Sequence, residues 1–186
     1  MKIEGTNRKR YNILLGGSTF AGKSTYFNSY FGNEFSEYYL SNKAWKTKEL
    51  IKKLNNTTFY LLDTYYWGGR YDNYINRQIE KDADGIILMF DLSYRKGFDD
   101  LPRLLNLITE CHELENFPVL LIGNKSDLDI NVDKYEINEF LDKEKFIGYF
   151  EVSCKLNKNV QESVDFMVNY IYKKEKRKFY NKNKIK

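Results

Sequence analysis

The segment Gly16-Gly17-Ser18-Thr19-Phe20-Ala21-Gly22-Lys23-Ser24-Thr25 follows the apolar run Tyr11–Leu15 directly, and it constrains the fold more than any other stretch. Gly17, Gly22, Lys23 and Ser24 stand at the spacing of a phosphate-binding loop, Gly-x-x-x-x-Gly-Lys-Ser. Glycines let the backbone turn tightly enough for successive N–H groups to point inward at phosphate oxygens. A helix opening beside Gly22 aims its positive end at the same place. Lys23 then reaches the outer phosphates, and Ser24 reaches the Mg²⁺ that bridges them. Ser18, Thr19, Phe20, Ala21 and Thr25 complete the expected cradle. The other reading, a glycine-rich strand–helix turn with no ligand, is disfavoured by the strand before it and the helix after it.

The rest of the chain supplies the frame such a loop needs. Gly85–Asp91 (GIILMFD) and Pro118–Asn124 (PVLLIGN) are apolar enough to be strands covered on both faces. Ala44–Ile51 and Thr57–Asp63 read as a strand pair turned at Leu54-Asn55-Asn56, and Tyr149–Ser153 as a last short strand. Helical patterns cover Gly22–Phe31, Phe98–Glu115, Asp133–Lys145 and Val160–Lys174. Alternating strands and helices predict an α/β fold on a mostly parallel sheet. Ligands of such sheets bind at the carboxyl ends of the strands. With 186 residues, 42% of them apolar, one folded domain is expected. The N-terminus lacks the apolar segment of a secretory signal. Cys111 and Cys154 lie far apart, which fits a reducing compartment and no disulfide framework.

A phosphate loop does not name the nucleotide. Asn124-Lys125-Ser126-Asp127, directly after PVLLIG, narrows it. A carboxylate there can accept from both the N1–H and the N2–H₂ of guanine. Adenine would leave that acid unpaired, which is costly. Ser153-Cys154-Lys155 closes the next strand, where backbone N–H groups can meet guanine O6. With GIILMFDLS, LLIGNKSDL and EVSCKLNKNVQESVDFMV, these motifs resemble the small GTPases of the Ras superfamily, and most of all its Rab branch. The likeness runs from about Lys9 to Tyr172. It implies a G domain of the P-loop NTPase class, with a six-stranded mixed sheet and five helices. Residues 1–8 are then an arm, 9–172 the domain and 173–186 a basic tail. The resemblance also implies GTP/GDP and Mg²⁺ as ligands. Phe35 would lie edge-on against the base and Lys125 would cover the ribose side. Cys154 replaces the usual Ala, and since the contact there comes from backbone, little change is expected.

The same resemblance shows three departures in the hydrolytic machinery. Asn42, in YYLSNKAW, stands where the family has a Thr that ligates Mg²⁺; Asn42 could offer its amide oxygen, or Ser41 could take over with a one-residue shift. Asp63-Thr64 is followed by Tyr65-Tyr66-Trp67-Gly68-Gly69 rather than Ala-Gly-Gln. The best alignment makes Gly68 the γ-phosphate glycine and puts Gly69 at the Gln position; without an insertion that position falls on Trp67. Neither orients an attacking water as an amide does. Thr19 brings a β-branched side chain where Gly or Ser is usual. Asp63 is kept behind the metal. No catalytic residue is assigned, and slow hydrolysis is expected. A fully cycling GTPase in traffic or signalling is the alternative, with Arg70 and Gln78 as nearby substitutes. A P-loop kinase would need an arginine-rich lid, which the sequence lacks.

Partners are expected at the switch surface, where Tyr38, Tyr39, Tyr65, Tyr66, Trp67 and Tyr71 cluster. Aromatics on such a face suit effectors, exchange factors or GTPase-activating proteins. Between Lys173 and Lys186 stand eight Lys/Arg and one Glu, a net +7 within an overall +4, so the rest sums to −3. That balance argues against a nucleic-acid-binding body. The tail alone gives at most weak, salt-sensitive contact with anionic membranes. With no Cys after Cys154, no C-terminal prenyl group is expected. The expected location is cytoplasmic or peripheral to a membrane.

Overall fold

The computed structural model describes residues 9–33, 35, 47–54, 57–63, 82–110 and 112–184. Six strands form one sheet in the order β2-β3-β1-β4-β5-β6. They are β1 (Lys9–Gly17), β2 (Thr47–Leu54), β3 (Thr57–Asp63), β4 (Gly85–Asp91), β5 (Val119–Asn124) and β6 (Gly148–Glu151). Only β2 runs antiparallel, against β3. The helices are α1 (Lys23–Tyr30), α2 (Arg95–Asp99), α3 (Leu101–Thr109), α4 (Lys134–Lys143) and α5 (Val160–Lys184). Segments α2 and α3 abut at Asp100 and make one bent helix. Four helices are thus described against the five implied by the resemblance, and residues 64–81 lie outside the description.

Strand periodicity explains the layering. Alternate residues of a strand face opposite sides of its sheet. Ile13, Leu15, Ile87, Met89, Leu120 and Ile122 face one way, against Phe27 of α1 and Val164, Met167 and Val168 of α5. Leu14, Ile86, Leu88, Phe90, Val119 and Leu121 face the other way, against α3 and Ile137 of α4. This is why the middle strands read as unbroken apolar runs. Helix α3 supplies Leu101, Leu104, Leu105 and Ile108, one face of a 3.6-residue repeat. Each fully buried Leu or Ile contributes about 1.5–3 kcal/mol, so the sheet is a stiff platform for the loops at its edge.

Several boundaries differ from the sequence reading, for local reasons. The helix expected over Phe98–Glu115 starts at Arg95, bends at Asp100 and stops at Thr109. Pro102 has no N–H to give to the preceding turn, which favours a break there. The Thr109 hydroxyl bonds back to the Asn106 carbonyl at 2.7 Å, an interaction that competes with helix continuation. Strand β6 ends at Glu151, because Ser153 pairs with Lys158 in an isolated bridge. Strand β2 runs on to Leu54, with a register shift between Leu50 and Lys52. Residues 44–46 and the turn residues Asn55 and Asn56 lie outside the description. Helix α5 continues through the basic stretch to Lys184.

The chain leaves β1 toward β2 and β3 on one side, then crosses back to β4 on the other. The carboxyl ends of β1 and β4 therefore flank the point where strand order reverses, the place where open α/β sheets bind ligands.

Candidate nucleotide site

The loop after β1 is shaped by two glycines that nothing else could replace. Gly17 has φ 140, and a Cβ on it would lie 2.0 Å from the Met89 carbonyl oxygen of β4. Gly22 has φ 86, and its Cβ would lie 2.4 Å from Asn124 Nδ2. Between them the Ser18 N–H donates to the Met89 carbonyl at 3.1 Å and the Ala21 N–H to the Ser18 carbonyl at 3.2 Å. Helix α1 then opens at Gly22, with the Tyr26 N–H bonded to the Gly22 carbonyl at 2.8 Å. Lys23 folds its ammonium over the loop, donating to the carbonyls of Gly17 at 3.1 Å and Ser18 at 3.0 Å. Ser24 and Thr25 follow on the first turn. Helix α1 is anchored from below: Tyr26 is fully buried, and its hydroxyl pairs with Ser163 of α5 at 2.7 Å.

Phe20 was not expected to be unusual, yet its backbone is left-handed, at φ 64, and the residue is 69% exposed. An L-residue in that conformation costs roughly 1–2 kcal/mol, and no burial offsets it. Phe20→Gly should therefore stabilise the protein by about 0.5–1 kcal/mol, after the greater chain entropy of glycine is subtracted. A thermal melt should rise by roughly 1–4 °C; an unchanged or lower midpoint would refute the strain argument.

The turn after β5 stands next to this loop. Asn124, 2% exposed, donates from Nδ2 to the Ala21 carbonyl at 2.8 Å, so it bridges the two loops. Lys125 takes a left-handed φ of 63 and turns its ammonium onto Asp91 Oδ2 at 2.6 Å. Asp91, at the end of β4, is fixed in turn by the Ser93 N–H at 2.8 Å and the Ser93 hydroxyl at 2.6 Å. Sequence reasoning missed Asp91. The available signal was a carboxylate closing an otherwise apolar strand. The Ser126 N–H bonds to the Val152 carbonyl at 3.0 Å, joining this turn to the end of β6.

The third loop completes the edge. The Ser153 hydroxyl donates to Asp127 Oδ1 at 2.5 Å and accepts from the Leu156 N–H at 3.1 Å. Asp127 is thus held by the loop whose backbone was expected to meet the base. The Cys154 thiol donates to Asn124 Oδ1 at 3.3 Å. Burial pushes that thiol up to about 12, so it stays protonated at neutral pH. Phe35 is 42% exposed, and the Lys155 ammonium lies 5.9 Å from its ring centroid, within cation–π range.

The structure thus gathers Gly17–Thr25, Phe35, Asn124, Lys125, Asp127 and Ser153–Lys155 at one carboxyl edge of the sheet. Asp63 ends β3, its backbone in register with Leu15 of β1, on that same edge. Asn42, Trp67, Gly68 and Gly69 lie outside the described residues, as do the switch tyrosines. Among the described residues, no cluster of three or more His, Cys, Asp or Glu could cage a metal. The hydroxyls of Ser18 and Ser126 are buried and have no hydrogen-bond partner among the described residues. Cradle glycines, an ammonium over the loop and a turned-in carboxylate all fit a nucleoside phosphate.

Taken together, fold and edge define a phosphate-loop nucleotide-binding α/β domain. The family model described as Ras family matches residues 12–173, and the chain belongs to the Ras family, as a Rab-like small GTP-binding protein. It is 26% identical over 184 residues to Ras-related protein Rab-32A of Dictyostelium discoideum, covering 94% of this chain and 84% of that one. It is 31% identical over 101 residues to human Ras-related protein R-Ras, covering 53% of this chain and 46% of R-Ras. With Ras-related protein Rab-27B of Rattus norvegicus it shares 36% over 98 residues, or 50% and 44% of the two chains. The aligned part thus spans just under half the length of R-Ras and Rab-27B. No helix among the described residues is long and apolar enough to cross a membrane.

Proposed function

We propose that this protein is a guanine-nucleotide switch that binds GTP and GDP with Mg²⁺ and hydrolyses GTP slowly. The observation that carries the reading is the hydrogen-bonded chain through the three loops. Ala21 accepts from Asn124, Asn124 from Cys154, and neighbouring Ser153 gives its proton to Asp127. That chain ties the Gly17–Gly22 loop to Asp127 at a fixed separation, which supports roles for them as a phosphate cradle and a base-reading carboxylate. Lys23 and the loop N–H groups would hold the phosphates. Ser24, with Asp63 behind it and Asn42 from the first switch, would hold Mg²⁺, which shields the phosphate charge when bound. Asp127 would select the base, Phe35 would lie edge-on against it, Lys125 would cover the ribose side, and the backbone at Cys154 and Lys155 would meet the carbonyl oxygen of the base. Gly68 would sense the γ-phosphate. The aromatic switch segments would receive effectors and regulators, and the basic tail would add weak attraction to anionic membranes.

The test is what the purified protein carries. After denaturation, chromatography should find guanine nucleotide near one equivalent, with a substantial share as GTP. Adenine nucleotide, or no guanine nucleotide even after incubation with GDP and Mg²⁺, would overturn the reading.

A further inference from the structure

We propose that Cys154 is a positioning residue for guanine-nucleotide binding: its thiol proton fixes the Asn124 side-chain amide in the orientation that ties the base-reading turn to the phosphate loop. The inference rests on the guanine-nucleotide reading above and deepens it.

An asparagine amide presents a donor on one side and an acceptor on the other, and rotation by half a turn exchanges them. At Asn124 the phosphate-loop side is a carbonyl, Ala21 O, which needs the NH₂ end. The opposite side is Cys154 Sγ at 3.3 Å, whose S–H needs the oxygen end. Both demands agree, so one orientation is selected twice. Rotated, the amide would set Oδ1 against the Ala21 carbonyl and lose both bonds. The neighbouring residues do not supply this donor. Val152 has an apolar side chain, and the Ser153 hydroxyl is committed to Asp127 and the Leu156 N–H. Solvent cannot substitute, because Asn124 is 2% and Cys154 5% exposed. An unpaired acceptor buried in that way is costly. The Cys154 carbonyl is fixed as well, accepting from Ser29 of α1 at 3.4 Å. A residue whose backbone was expected to meet the base therefore also sets, through its side chain, the spacing between base turn and cradle.

The test compares Cys154→Ala and Cys154→Ser in the full chain. Serine keeps a proton donor on the same carbon and is close to alanine in volume, whereas alanine removes the donor. Release of a fluorescent GDP analogue should quicken about fivefold in C154A, the loss expected for one modest buried hydrogen bond, and stay within about twofold of the parent in C154S. Alanine and serine variants releasing at the same rate, or C154A releasing no faster than the parent, would overturn the assignment. A second readout needs no nucleotide. The side-chain amide protons of Asn124, followed by NMR, should exchange faster in C154A than in the parent and C154S. An amide unchanged in C154A sinks this proposal even if nucleotide binds. A parent protein that binds no guanine nucleotide sinks the functional reading whatever the amide does.

Discussion

Replacing Asp127 with alanine is expected to lower GDP affinity by roughly 10³-fold and to leave ADP binding no weaker, or stronger, because adenine no longer leaves a carboxylate unpaired. Hydrogen bonds to a charged partner contribute about 1.5–3 kcal/mol each, and guanine offers two donors to one carboxylate. Inosine diphosphate provides a cleaner cut, since it keeps N1–H but lacks the exocyclic amine. The parent protein should bind it about 10–100-fold more weakly than GDP, and Asp127→Ala should erase that gap. Calorimetric titration of both proteins with GDP, inosine diphosphate and ADP gives the full cycle. The variant should fold. Its loss leaves the buried Ser153 hydroxyl without its acceptor, at a cost of about 1–3 kcal/mol, though that oxygen still accepts from the Leu156 N–H. Persistent discrimination between GDP and inosine diphosphate in the variant would show that the base is read elsewhere.

The same contact marks the boundary of what the sequence made legible. Strands and their order of appearance were readable because burial on two faces writes continuous apolar runs, as in GIILMFD. The gathering of the motifs at one edge was readable because each follows a strand directly, and loops after parallel strands meet at the carboxyl end of the sheet. What could not be read were couplings between segments distant in sequence. Lys125 meets Asp91, Asn124 meets both Ala21 and Cys154, and Tyr26 meets Ser163 only after the sheet is assembled. The left-handed backbone of Phe20 was invisible for a different reason. Local preference argues against it for any residue but glycine, and the conformation is imposed by the turn between Gly17 and Gly22. The bend at Asp100 was half-visible, since Pro102 announces a helix start that the apolar repeat obscures.

Hydrolysis of GTP by the unmodified protein should be 10- to 1000-fold slower than the roughly 10⁻⁴ s⁻¹ of a small GTPase acting without help. The argument is subtractive. Catalysis in this family of reactions is positioning and charge stabilisation, with an amide side chain orienting the attacking water. On the proposed alignment that position would fall on Gly69, or on Trp67 if the segment carries no insertion. Glycine has no side chain to orient water, and the indole of tryptophan can donate but not accept. On the proposed alignment, Asn42 in place of the switch threonine would remove a hydroxyl ligand for Mg²⁺ and compound the loss. Nucleotide binding uses other atoms, so GTP should still load. Single-turnover release of phosphate from preloaded protein measures the rate directly, and Gly69→Gln and Trp67→Gln decide the alignment. If Gly69→Gln alone quickens release by at least tenfold, the insertion is correct and the missing amide is the defect. If only Trp67→Gln does so, the shorter alignment holds. Thr19 stands exposed on the phosphate loop, so pairing either variant with Thr19→Gly tests whether its side chain crowds the restored amide. A parent rate already near 10⁻⁴ s⁻¹ would mean that another group, with Arg70 and Gln78 the nearest candidates, orients the water, and the protein would then be a cycling enzyme.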